Sequence, residues 1–299
     1  MIRVDSLTKK FDGFTALNDI SCTIPDGCVY GLVGSNGAGK STFIRLLAGI
    51  YKPDKGKVMI NGASVFENPA VKNKLVLVPD DLYFLSQSNM NKMAELYAAV
   101  YKNFSYPRFE KLTDAFGLDP KNNISNFSKG MRRQAVTILA LSSMPEYLFF
   151  DETFDGLDPV MRNLVKSVIY SDVCGRKTTV IITSHSLREL EDTCDQLAML
   201  HEGGVVFESD IQNLKTSLFK IQIAFDEDFN RDRFTGLDLL SFSKTGRVAS
   251  LIARGNKEQT LADLKSMNPV LLDVLPLSLE EVFVYEMDAL GYSVREMIN

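Results

Sequence analysis

Residues 28–49, CVYGLVGSNGAGKSTFIRLLAG, leave little freedom in how the chain around them folds. An apolar run from Val29 to Val33 stops at Gly34, and a Gly-rich loop follows. Beyond it Phe43, Ile44, Leu47 and Ala48 recur at helical spacing. Gly34 to Ser41 fits G-x-x-x-x-G-K-[ST] at every fixed position. Glycines at 34, 37 and 39 let the backbone curl so that successive N–H groups point inward at phosphate oxygens. Lys40 has the reach for β- and γ-phosphates, and the Ser41 hydroxyl is a hard oxygen ligand suited to Mg²⁺. The helix N-terminus behind them adds a fixed positive pole. The predicted phosphate-binding set is therefore Gly34, Ser35, Asn36, Gly37, Ala38, Gly39, Lys40, Ser41 and Thr42.

A chain of 299 residues holds one large domain or two ordinary ones. A net charge of −5 argues against a protein that coats nucleic acid, a role that usually wants a basic face, so no nucleic-acid partner is expected. No apolar stretch approaches membrane-spanning length, and MIRVDSLTKKF lacks the apolar core of a signal peptide. Cys22, Cys28, Cys174 and Cys194 are scattered without C-x-x-C spacing, and only two histidines accompany them. That pattern predicts reduced thiols in an intracellular protein rather than a zinc site.

Short strands are expected over residues 1–27, then a hairpin around Asn61-Gly62 and a buried strand from Leu75 to Val78. From Ser88 to Met144 the pattern turns helical. Met90, Met93, Ala94, Tyr97, Ala98 and Tyr101 share one helix face, a second helix is closed by Gly117, and a third starts near Lys129. The α/β pattern resumes at Tyr147 to Phe150. Asp158-Pro159 reads as an N-cap and first position, and Ser186 to Glu189 as a capping box. Beyond Leu214 the alternating segments and a final capping box at Ser278 to Glu281 predict a small separate α+β domain.

Three buried strand patterns end in polar groups: Val33 in the Gly-rich loop, Phe150 in Asp151-Glu152, and Ile182 in Ser184-His185. If these are neighbouring parallel strands, all three ends face one crevice. Asp151 then stands where a carboxylate holds Mg²⁺, Glu152 where it orients or deprotonates water, and His185 where it meets the γ-phosphate or that water.

On these motifs the chain resembles the ATP-binding subunit of an ABC transporter over roughly residues 1–210. The position of the family signature, usually LSGGQ, reads Phe127-Ser128-Lys129-Gly130-Met131, and the aspartate loop resembles Phe154-Asp155-Gly156-Leu157-Asp158. The resemblance implies an α/β P-loop NTPase fold, with a RecA-like core, an antiparallel β subdomain and an inserted helical subdomain at about 85–145. It places the ATPase domain in residues 1–214 and leaves 215–299 as an accessory α+β domain. It implies ATP and Mg²⁺ as cofactors, with Phe11 stacking on adenine, Ser128, Gly130 and Asp158 in nucleotide binding, and Glu152 and His185 as catalytic groups. Ser41, Asp151 and Asp80 are then the metal donors. Asp80 stands where the family has a glutamine, Lys129 and Met131 depart from the signature, and Thr153 replaces a proline.

The same resemblance implies two ATPase subunits, identical or different, packed head to tail so that each ATP lies between one phosphate loop and the other signature. It implies a separate membrane permease docked near Asp80 to Tyr101, export, and a cytoplasmic location on the inner face of the membrane. The competing expectation is a non-transport or regulatory ABC ATPase acting on a soluble partner.

Overall fold

β1 (Ile2–Phe11) and β2 (Phe14–Ile24) pair antiparallel across Asp12-Gly13, whose φ values of 45° and 87° suit a tight hairpin turn. The computed structural model, which describes residues 1–154 and 157–289, thus has strands of ten and eleven residues where the sequence predicts short ones. Ser6 and Asp19 take left-handed backbone conformations beside shifts of register, and such bulges break the two-residue period. β3 (Val29–Val33) then leads through the Gly-rich loop into α1 (Lys40–Leu47). β4 (Lys55–Ile60) turns at Asn61-Gly62 into β5 (Ala63–Ser64), completing an antiparallel sheet in the order β2-β1-β4-β5.

A short α2 (Pro69–Lys72) precedes β6 (Leu75–Val78), and three helices follow: α3 (Met90–Val100), α4 (Tyr106–Phe116) and α5 (Lys129–Ser142). Each begins at a side-chain cap, from Asn89, Ser105 and Ser128 respectively, and Gly117 closes α4 at φ 66°. β7 (Tyr147–Asp151), α6 (Pro159–Arg176), β8 (Thr179–Ser184), α7 (Leu187–Glu191), β9 (Gln196–His201) and β10 (Gly204–Asp210) complete this part. An ion-paired triad centred on the buried Asp172 fastens α4 to α6: Asp172 accepts from Arg108 at 2.7 Å and from Arg176 at 3.2 Å.

The central sheet runs β10-β9-β3-β8-β7-β6, with β9, β3, β8, β7 and β6 mutually parallel. Every residue of β3, β7 and β8 is buried, as expected of strands covered on both faces. Phe43 and Ile44 of α1 and Tyr147 and Phe149 of β7 belong to its core.

The expected capping box at Ser186 to Glu189 does not form. Ser186 makes no side-chain cap; its N–H donates to the Ser184 hydroxyl at 2.9 Å, which itself donates to the Glu189 carboxylate at 2.7 Å. Arg162 approaches the same carboxylate at 3.5 Å, so Glu189 is drawn away from the helix start.

The chain divides after Glu208 into two units. The second contains α8 (Ile211–Ser217), β11 (Leu218–Ala224), β12 (Leu239–Thr245), β13 (Val248–Arg254), α9 (Lys257–Ser266), β14 (Leu271–Leu275) and α10 (Leu279–Ala289). Its antiparallel sheet runs β12-β13-β11-β14 over a core rich in phenylalanine: Phe219, Phe225, Phe229 and Phe234. α10 starts at a reciprocal capping box, Ser278 N–H to the Glu281 carboxylate at 3.0 Å and Glu281 N–H to the Ser278 hydroxyl at 3.2 Å.

All four cysteines are free thiols, and only Cys174 is exposed. Burial pushes Cys22 and Cys28 up to about 12, so their thiolates are scarce at neutral pH. Titration of the native protein with a disulfide reagent is expected to show one fast thiol, lost in Cys174→Ser, and three that react only on unfolding.

Candidate functional site

Parallel register sets the ends of three strands level. β8 lies between β3 and β7, with Val33 beside Ser184 and Asp151 beside Thr183. The three strand ends expected to face one site therefore stand side by side at the carboxyl edge of the sheet.

The loop between β3 and α1 is shaped by two glycines. A Cβ at Gly34 would lie 2.4 Å from the Leu200 carbonyl oxygen, closer than any side chain tolerates. Gly39 caps α1 at φ 105°, where a Cβ would also meet the Ala16 carbonyl at 2.7 Å. Ser35, Asn36 and Gly37 form the exposed crest, Ala38 is buried, and Ser41 and Thr42 are half-buried at the start of α1. Lys40 is 4 % exposed; its ammonium donates to the carbonyls of Gly34 at 2.7 Å and Ser35 at 3.1 Å. The same Nζ stands 3.4 Å from Glu152 Oε1.

Asp151 is 1 % exposed at the end of β7. Its Oδ1 accepts from Thr183 at 2.8 Å and from Ser41 at 3.1 Å, while its buried Oδ2 has no hydrogen-bond partner among the described residues. Burial pushes this carboxyl above its ordinary value, opposed by the Thr183 and Ser41 hydrogen bonds. A buried carboxylate oxygen without a donor, beside a serine hydroxyl, is a donor set that fits Mg²⁺.

Glu152 takes φ 49°, a left-handed conformation that is strained for a residue with a side chain. Its N–H lies between the Thr183 carbonyl at 3.2 Å and the Thr183 hydroxyl at 3.0 Å. Its carbonyl accepts from Arg133 at 3.0 Å. His185 follows β8 directly and is exposed.

Asp80, the third expected metal donor, has its Oδ1 engaged by the Arg133 guanidinium of α5 at 2.5 Å. Arg133 itself was missed, although it is the only ionisable side chain in residues 133–142, a signal the apolar face of the helix obscured.

Four other expected contributors make contacts of their own. Phe11, at the end of β1, has its ring 5.3 Å from that of Tyr51 and the Lys9 ammonium 5.1 Å from its centroid; it is partly exposed. Ser128 caps α5 by accepting from the Met131 N–H at 3.2 Å, with Gly130 in the first turn. Asp158 caps α6, accepting from Val160 and Met161 at 3.0 Å. Asp155 and Gly156 of the aspartate loop lie outside the described residues.

Residues 17–155 match the protein family described as ABC transporter. Among relatives, the ABC transporter ATP-binding protein YtrB of Bacillus subtilis is 29 % identical over 95 % of this chain and 97 % of its own. The daunorubicin/doxorubicin resistance ATP-binding protein DrrA of Streptomyces peucetius is 32 % identical over 73 % of this chain and 67 % of its own. Among solved structures, a dimeric ATP-binding cassette in a post-hydrolysis state with ADP and Pi superposes with a TM-score of 0.64 at 17 % identity, over 71 % of this chain and 99 % of that one. That likeness is one of fold.

Proposed function

The chain belongs to the ABC transporter family as one of its ATP-binding subunits and is an ATPase, and from that premise we propose that it drives export through a separate membrane permease by ATP-dependent pairing of two such subunits. The observation that carries the chemical part is the gathering of Lys40, Ser41, Asp151 and Glu152 at one sheet edge, linked by contacts of 3.4 Å or less. YtrB's match over 95 % of this chain and its description as an ABC transporter protein support transport, and DrrA's description as a resistance protein supports the outward direction.

In this reading Gly34 to Thr42 wrap the phosphates and Lys40 exchanges its loop carbonyls for phosphate oxygens. Ser41 and Asp151 hold Mg²⁺, whose chemistry there is to neutralise the charge that develops on the transferring phosphoryl group. Glu152 orients water and accepts its proton, and His185 meets the γ-phosphate. Phe11 offers an exposed ring to adenine.

The second half-site is supplied by the partner's Ser128 and Gly130, where the α5 N-terminus favours an anion, with Asp158 beside them. Whether the two subunits are identical or different, ATP joins them by charge-assisted hydrogen bonds across the interface. None of the described residues forms a helix long and apolar enough to cross a membrane, so the subunit would sit on the inner face through its permease, docked over residues 80–101. The exposed Tyr83, Leu85, Leu96 and Val100 lie in that segment.

Hydrolysis by the purified protein is expected to require Mg²⁺ and to fall to background on chelation, while ATP binding weakens but persists. Affinity capture from membranes of the source cell is expected to bring down a polytopic partner. Metal-independent turnover, or recovery of ribosomes or another soluble partner in place of a membrane protein, would remove the transport reading.

A further inference from the structure

Arg133 projects from the second turn of α5 into the interior, 3 % exposed, and its two terminal nitrogens serve different elements. Nη2 binds Asp80, just beyond β6, at 2.5 Å; Nη1 donates to the Glu152 carbonyl, just beyond β7, at 3.0 Å. β6 and β7 are parallel neighbours, so one planar guanidinium spans the ends of adjacent strands. The residue it grips beyond β7 is the strained one. Glu152 is held in its left-handed conformation from both sides, its N–H by Thr183 and its carbonyl by Arg133. Without the second hold, the extended conformation that side-chain-bearing residues prefer would swing the carboxylate off Lys40.

We propose that Arg133 is a positioning residue for hydrolysis: anchored by Asp80, it fixes the Glu152 main chain so that the carboxylate stays at the phosphate loop. The proposal rests on Glu152 being the base. It gives Asp80 the work of a counter-ion in place of a metal ligand. Because Asp80 is half exposed while Arg133 is buried, the carboxylate serves chiefly to keep the guanidinium charge paired and its plane oriented.

The test uses the full-length protein, with steady-state ATP hydrolysis, equilibrium ATP titration and thermal melting measured together. Arg133→Gln is expected to lower kcat about 10- to 100-fold, the scale of an ångström of misplacement, with ATP affinity held within about three-fold. Arg133→Lys keeps a charge facing Asp80 but cannot reach both acceptors in one plane, so it should restore the melting temperature without restoring kcat. Asp80→Asn, which leaves the arm to Glu152 in place, should lower kcat less than Arg133→Gln. In a Glu152→Gln background, Arg133→Gln should add nothing to the loss already present, because both act through one carboxylate.

Wild-type kcat in Arg133→Gln overturns the proposal, as does full recovery of kcat by lysine. So does a further loss on top of Glu152→Gln equal to that in the wild type. If Glu152→Gln abolishes turnover and Arg133→Gln does not, only the role of Arg133 falls. If Glu152→Gln turns over normally, the general-base reading falls with it.

Discussion

Glu152→Gln is expected to suppress ATP turnover by about 10²- to 10⁴-fold, the range set by removing a general base. The amide has the carboxylate's shape, and the main-chain contacts that hold residue 152 come from Thr183 and Arg133, so the backbone should be undisturbed. Glu152 Oε1 lies 3.4 Å from Lys40, and the exchange removes a negative charge from the neighbourhood of the triphosphate. ATP affinity should therefore hold or rise. On the proposed pairing of two subunits over ATP, binding without hydrolysis leaves the pair no route to separation, so an ATP-dependent dimer should accumulate on size-exclusion chromatography. Turnover at the wild-type rate would take Glu152 out of the reaction.

Lys40→Ala is expected to do the opposite: binding goes first. The Lys40 ammonium is buried among three acceptors that belong to the protein, the carbonyls of Gly34 and Ser35 and the carboxylate of Glu152. Those contacts hold the ammonium inside the loop that would wrap the phosphates. A charged donor to phosphate contributes about 3 kcal/mol, so its loss should weaken ATP binding on the order of 100-fold. The helix beneath stays anchored by Phe43, Ile44 and Leu47, so circular dichroism should show no loss of helix. Unchanged affinity in an equilibrium titration would contradict the placement of Lys40 on the phosphates.

Both predictions start from residues visible in the sequence, and the reasons they are visible are physical. A phosphate loop needs glycine where a Cβ would strike backbone, as at Gly34 and Gly39, and an ammonium at a fixed remove from it. Parallel strands buried on both faces read as short apolar runs, so β3, β7 and β8 were legible, as were the polar groups at their ends. Helix caps are local hydrogen bonds between residues two or three apart; Ser128, Asp158 and the Ser278–Glu281 pair were legible for that reason.

Elsewhere the local signal misled. Ser186 and Glu189 have the spacing of a capping box, yet the Ser184 hydroxyl two residues upstream took the Ser186 N–H, and that hydroxyl together with Arg162, brought in by tertiary packing, took the Glu189 carboxylate. The length of β1 and β2 was hidden by bulges that break alternation at Ser6 and Asp19. The pairing of Asp80 with Arg133 was not legible, because nothing in the chain between 80 and 133 announces that the two residues meet.

What the chain by itself determined was the local framework: the Gly-rich loop, the apolar strands, and which polar residues stand at their ends. Those follow from spacings of a few residues, over which covalent geometry and period leave little choice. Only the tertiary structure decided how the charges were paired. It placed β8 between β3 and β7, joined Asp151 to Ser41 across 110 residues, and gave Asp80 to Arg133 across 53. Ion pairs of that kind depend on distance in space. A carboxylate is satisfied by whichever buried cation the packing delivers, and no local pattern in the sequence records which one that will be.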